Sequence, residues 1–570
     1  MVRSTVKRGG GTGTRGKRGS TRARDINKII TKGLRYEKKG NKKAAANCYL
    51  EAFNLDPRNL DALKLIGKTL SELGNRHLAL QVFEQALAGN ENDTDVISAL
   101  GNMALDMNYP ELALKMFSVF TALEPGSFVG YNNQATALRQ LERFDEAIAT
   151  VQHAIPLFPT AAELWNTLAS IVTERDGLEA SLVFYEEALR LNPKMVSAAS
   201  NLARAYNHTG YFDKTIEVAG RAIEIDPEFI EAHFVISTAL LATGQLKRGW
   251  AEYEWRKHPA RRDVTLYTHG VKRWEGDDLT GKRLLICAEQ GIGDELLFAS
   301  CFPDIIDKAE QLVIGCDSRL VSLYERSFPG SLVGHYADFY ANGTRHRHFP
   351  FLEEAGPIDF AIECGSLPRY LRSDFDSFPE RRSFLEPDPA RVAHWRSRLD
   401  AIDGNLKVGI CWRSGVITHE RSKEYTSLEQ WGPILTTPGV TFVNLQYDEC
   451  TAELDAAKEK FGVTIHGWDD LDLKNDFEAT TSLSRALDLV ICPTTAPGIT
   501  AASVGTEWWA LARIQPWWCY GQEQSPEVKV CTIMLVPEGG DWGDVTAELG
   551  LKLDALVKRS VNGSDAADNG

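Results

Sequence analysis

The stretch Cys287–Phe298, CAEQGIGDELLF, ends a short apolar run with two spaced glycines and an acid pair. A dinucleotide cradle needs a third glycine, and Gly291-Ile292-Gly293-Asp294-Glu295-Leu296 lacks it; the phosphate-loop lysine is missing as well. What remains is a loop without side-chain bulk, which lets a ligand approach the backbone and sets Asp294 in the first turn of a helix. An acid there either caps the helix or acts as a base aimed into a cleft.

The elements around this loop read as parallel sheets. Apolar runs at 283–288, 311–316, 358–363, 406–412, 440–447, 488–492 and 507–512 alternate with longer helical patterns. Pro387, Pro389 and Gly404 mark a break between two doubly wound halves, with a ligand cleft expected at the carboxyl ends of the strands. Upstream, Pro57, Pro125, Pro159, Pro193 and Pro227 are spaced by 68, 34, 34 and 34 residues. Small residues recur in that register, at Gly33, Gly67, Gly101, Ala135, Ala169, Ala203 and Ser237. This periodicity predicts about seven helix pairs over 26–258 and resembles the tetratricopeptide repeat family. Its groove is expected to hold a protein segment, with Asn133, Asn166 and Asn201 as candidate amides for a peptide backbone; the alternative is that they are ordinary surface residues.

Composition excludes several classes. Ahead of Asp25 stand eight Lys or Arg and no acid, a segment expected to be a disordered basic tail over 1–25, while the net charge of -15 and the absence of a nucleic-acid motif argue against a nucleic-acid partner. The ten cysteines show no C-x-x-C pair, so neither metal nor disulfide framework is expected. No apolar run is long enough to span a membrane and no apolar segment follows the basic N-terminus, which sets a cytoplasmic expectation.

The Gly291, Gly293, Asp294 pattern, Gly365-Ser366-Leu367-Pro368-Arg369, Val408–Gly415 and Val443-Asn444-Leu445-Gln446-Tyr447 together resemble the catalytic half of bacterial tetratricopeptide glycosyltransferases. That half is similar to heptosyltransferases and, more distantly, to the O-linked N-acetylglucosamine transferase. The resemblance covers roughly residues 280–555. It implies an α-solenoid followed by an α/β GT-B fold of two Rossmann-like halves, an acceptor half over 281–390 and a nucleotide-sugar half over 404–558. A linker is expected at 259–280 and a second disordered tail at 559–570.

Carried over residue by residue, the resemblance makes Asp294 the general base and puts Gly291, Gly293, Ser366 and Arg369 on the acceptor loop. Lys423 matches a family lysine suited to a leaving diphosphate, with Arg413 and Arg421 as alternative grips. Gln446 and Tyr447 are candidates for base contacts. Heptosyltransferases carry Asp and His where this chain has Thr494 and Ile499; hydroxyls at Thr494 and Thr495, with a helix N-terminus, still suit a phosphate. Trp508, Trp509, Trp517 and Trp518 fit either a sugar platform or an interdomain seam.

The expected function is metal-independent, inverting transfer of a sugar from a nucleotide-sugar to Ser or Thr of a protein recruited by the repeats, flagellin being a candidate, with the nucleotide-sugar as substrate and no cofactor. The alternatives are a tetratricopeptide adaptor with a silent GT-B module, or a glycosyltransferase acting on a surface saccharide.

Overall fold

The computed structural model describes residues 15–56, 59–89, 91–261, 263–289, 291–341, 343–415, 425–537 and 539–567. The chain divides into two compact units, Met1–Pro193 and Lys194–Gly570.

The first unit is helical among its described residues, with pairs Arg15–Lys38 and Lys42–Leu55, Leu60–Glu72 and Arg76–Gly89, Thr94–Asp106 and Pro110–Leu123, Phe128–Gln140 and Phe144–Ala154, Ala162–Asp176 and Leu178–Leu191. The 34-residue period works through a repeated contact. A Cβ on Gly33, Gly67 or Gly101 would lie 2.4, 2.8 or 2.6 Å from the ring of Tyr49, Phe83 or Phe117, so each glycine lets the aromatic of the second helix reach the first. The turn between helices takes a left-handed residue at Gly40, Gly74 and Asn108, and at Glu142 in the fourth pair. The basic segment departs from expectation, because it is helical from Arg15; residues 1–14 lie outside the described residues.

The second unit opens with two more pairs, Val196–His208 with Phe212–Ile225 and Ile230–Ala242 with Leu246–Tyr253, then a 3-10 turn at Glu254–Lys257. Seven strands follow: β1 (Thr265–Tyr267), β2 (Arg283–Cys287), β3 (Gln311–Cys316), β4 (Leu332–His335), β5 (Ala337–Ala341), β6 (Thr344–His348) and β7 (Phe360–Glu363). β4-β3-β2-β7 form a parallel sheet, and β1-β6-β5 a small mixed one. The remaining strands are β8 (Leu406–Ile410), β9 (Val440–Asn444), β10 (Ile465–His466), β11 (Leu489–Pro493), β12 (Glu507–Ala512) and β13 (Cys531–Leu535). They form one parallel sheet in the order β10-β9-β8-β11-β12-β13, a doubly wound sheet whose strand order reverses between β8 and β11.

Two expected boundaries shift. The segment 259–280 is no free linker: β1 pairs with β6, and Arg273 bridges Ala361 of β7. The repeats also do not end as a separate core near residue 258. Trp250, 1% exposed, shares one apolar cluster with Leu284 and Ile286 of β2 and Val490 of β11. At the other end the helix Trp542–Ala567 runs through most of the segment expected to be a disordered tail.

Candidate functional site

The carboxyl edges of the two larger sheets converge on one cavity of about 1210 Å³. From the end of β2 come Gly291, Gly293 and Asp294; from β8, Ser414; from β9, Tyr447; from β11, Thr494 and Thr495; from β12, Arg513 and Ile514. Ligands in open parallel sheets bind outside the carboxyl ends at the point of strand reversal, and Ser414 and Thr494 flank that point here. The opposite wall is helical, with Asn201, Arg204 and Asn207 of helix Val196–His208 and Glu231, Phe234 and Thr238 of helix Ile230–Ala242.

Asp294 is the third residue of helix Ile292–Ala299, whose N-cap is Gly291 with no side-chain cap bond. It is therefore not the cap. Among the described residues its carboxylate makes no hydrogen bond or ion pair. Asp294 is exposed to the cavity that it lines. Desolvation by the cavity wall, followed by the charge of Glu289, raises its pKa from 3.8 to about 6, with Arg256 opposing. The value suits a base at neutral pH. Its neighbour Glu295 points the other way: buried at 2% exposure, it accepts from the Asp317 N–H at 3.0 Å, and burial lifts its carboxyl to about 8.

The loop is held from behind. Arg347, 1% exposed, donates to the carbonyls of Ala288 and Glu289 at 3.1 and 2.6 Å. Arg256, from the turn after the last repeat, pairs with Glu289 at 2.6 Å. A Cβ on Gly365 would lie 2.6 Å from the Glu289 carboxylate and 3.0 Å from Arg256, so this pair requires a glycine there. Neither arginine carries a motif that sequence reasoning could use, since each acts through a contact that only the fold creates.

On the facing loop, Thr494 is exposed and Thr495 half-buried as the N-cap of helix Ala496–Ser503. Gly293 approaches this helix, its Cβ position lying 3.9 Å from Ala496 Cα. Tyr447 accepts from the Gly415 N–H at 2.8 Å and fixes the loop after β8. Arg413 and Gln446 are used structurally. Arg413 is taken up by Asp448 and by Glu453 at 2.6 Å, and Gln446, 2% exposed, bonds the backbone of Trp412 and Arg413. Arg421 and Lys423 lie outside the described residues.

Ser366 and Arg369 also stand apart from the cavity. Ser366 is fully buried and donates to Glu254 at 2.7 Å, within a cluster where Glu254 and Glu363 meet Lys257 and Arg273. Burial alone would raise the Glu363 carboxyl; Lys257, Arg273 and Arg256 instead hold it down at about 2. Arg369 reaches Glu254 at 3.7 Å. Trp517 packs in an aromatic seam with Trp250 and Tyr253, Trp508 is 2% exposed, and Trp518 stacks on Trp508 at 5.7 Å along the cavity wall. Trp509 packs in the apolar core on the other face of the sheet. In the first unit Asn133 donates to Asn102 at 3.2 Å across successive repeats, and Asn166 lies in the next pair; Asn201 lines the cavity of the second unit.

A family model described as Tetratricopeptide repeat matches residues 30–59 and 196–229. Protein FlbA of Caulobacter vibrioides is 37% identical to this chain over 439 residues, which span 76% of this chain and 74% of FlbA. Tetratricopeptide repeat protein 6 of Homo sapiens is 23% identical over 188 residues, 32% of this chain and 36% of that protein. Among solved structures, a thermophilic TPR protein of Thermus thermophilus is 22% identical, with a TM-score of 0.29, covering 32% of this chain and 99% of its own. No helix among the described residues is long and apolar enough to cross a membrane.

Proposed function

This chain belongs to the same family as Protein FlbA, and from that premise we propose that it is a GT-B glycosyltransferase moving a sugar from a nucleotide-sugar to a Ser or Thr hydroxyl of a protein recruited by its repeats, flagellin being a candidate acceptor. One observation carries the reading: an unpaired carboxylate on the β2 loop and a threonine-bearing helix N-terminus after β11 share one cavity, and repeat helices form its other wall.

The chemistry follows from that opposition. Asp294 takes the proton of the acceptor hydroxyl as its oxygen bonds to the anomeric carbon. The bond from that carbon to the diphosphate breaks, and the leaving diphosphate gains hydrogen bonds from Thr494, Thr495 and the Ala496 N–H. A single displacement of this kind inverts the anomeric centre. Lys423 is assigned to the same diphosphate by its family resemblance. No step is routed through a metal ion, so transfer is expected to persist in EDTA; abolition by EDTA with rescue by magnesium or manganese would overturn that part.

The test is intact-mass spectrometry of flagellin and other candidate acceptors incubated with the full chain and a panel of nucleotide-sugars. The proposal expects a mass gain of one sugar residue on a Ser- or Thr-containing acceptor, with release of nucleoside diphosphate. Nucleotide-sugar binding without any acceptor gain across the panel, or a gain only on free saccharides, would contradict it.

A further inference from the structure

Behind Asp294 lies a second cavity of about 150 Å³, whose wall includes Arg256, Lys257, Arg261, Thr265 and Glu289. Asp294 lines both cavities. Three polar atoms of this wall are buried without a partner: Arg256 Nε, Arg261 Nη1 and Thr265 Oγ1. The Arg256 side chain is 8% exposed and Thr265 is 6% exposed. Buried donors are normally paired, so three orphans around one small cavity point to an occupant that supplies acceptor oxygens.

The charges say which kind of occupant. Arg256 is matched by Glu289 and Glu254, and Lys257 by Glu254 and Glu363. Glu289 is further engaged by the Gly365 N–H at 3.2 Å. Arg261 is different. Its guanidinium lies 4.0 Å over the Phe234 ring and, among the described residues, makes no ion pair. Of the three cationic side chains in this wall, Arg256 and Lys257 are matched by carboxylates and Arg261 is not, and Arg261 also carries a nitrogen without a partner. At about 30 Å³ per water, the space admits a group of about four or five heavy atoms.

We propose that this cavity is a subsite for a compact oxyanion group of a substrate, a carboxylate or a phosphate, gripped by Arg261 Nη1, Thr265 Oγ1 and Arg256 Nε beside Asp294. It rests on the glycosyltransferase reading only in taking the occupant as part of a substrate. The site binds through a planar guanidinium fork and a hydroxyl, an arrangement that favours oxyanions over chloride.

The experiment is ligand-observed NMR on the full chain, with acetate and inorganic phosphate as separate probes at matched ionic strength against chloride. Binding of at least one probe is expected, weakened about tenfold or more by Arg261→Gln and by Thr265→Val, as expected for a lost charge-assisted bond, and restored by Thr265→Ser. Melting curves check that each variant is folded. A Thr494→Val, Thr495→Val double variant removes phosphate bound on the facing loop and is expected to leave this signal in place. Binding of acetate alone identifies a carboxylate, and binding of phosphate alone a phosphate. No binding of either probe, or binding unchanged by Arg261→Gln and Thr265→Val in folded protein, overturns the proposal and leaves water as the occupant. Because no transfer is measured, failure of the glycosyltransferase reading would leave this result untouched.

Discussion

The helix pairs of the first unit and the last two pairs share one sequence period, yet they are built into the molecule differently. In the first unit the apolar faces are spent within the repeats themselves, as Tyr49, Phe83 and Phe117 of the second helices are against the glycines of the first. In the second unit the same faces carry Trp250 into the sheet core, and the turn that follows them delivers Arg256 to the loop of Asp294. A repeat can thus be a recruiting surface or a structural part of a site, and its period does not say which.

The largest effect should come from cutting where the sequence suggests a linker. A chain beginning at Val271 removes Trp250 and Arg256 and is expected not to fold, whereas one beginning at Lys194 should give a cooperative melt and bind nucleoside diphosphate within a few-fold of the full chain. Loss of the tether, worth an effective concentration of millimolar order, should nonetheless abolish modification of the protein acceptor. A folded Val271 chain would erase the contrast between the two sets of repeats. Trp250→Ala alone should cost about 3–5 kcal/mol in urea unfolding of the second unit.

Arg256→Met should come next. It leaves Glu289 buried without its cation, a loss of about 3–5 kcal/mol by the usual cost of breaking a buried pair. The acidic limb of the transfer profile should move to higher pH, since Arg256 opposes the rise in the Asp294 pKa. A smaller effect is expected of Thr494→Val, about 0.5–1.5 kcal/mol in nucleoside diphosphate binding by titration calorimetry. Smallest is Asn133→Ala, which should change stability by no more than about 0.5 kcal/mol.

The repeats were legible because each reuses the same contact at the same spacing, and the larger strands because burial on both faces leaves a continuous apolar run, as in β2 and β11. The small sheet was not. β6 reads Thr-Arg-His-Arg-His, held by backbone pairing to β1 and β5, and nothing in its pattern says that Arg347 is buried under the Asp294 loop. Loop residues followed the same logic. Asp294 stood out through its glycines, whereas Arg413 looked like a free cation until the fold brought Asp448 and Glu453 to it.

Asp294 serves chemistry at the expense of stability. Its carboxyl is raised from 3.8 to about 6 in the folded protein, so its contribution to stability is present below its unfolded pKa and is lost as pH rises through about 6. Transfer should rise through the same range as the base ionises. The decisive measurement is transfer rate and melting temperature against pH for the wild type and Asp294→Asn. Asp294→Asn is expected to lower transfer by about a hundredfold or more, with a melting temperature at neutral pH equal to or above that of the wild type. Near-normal transfer with a lowered melting temperature would contradict it.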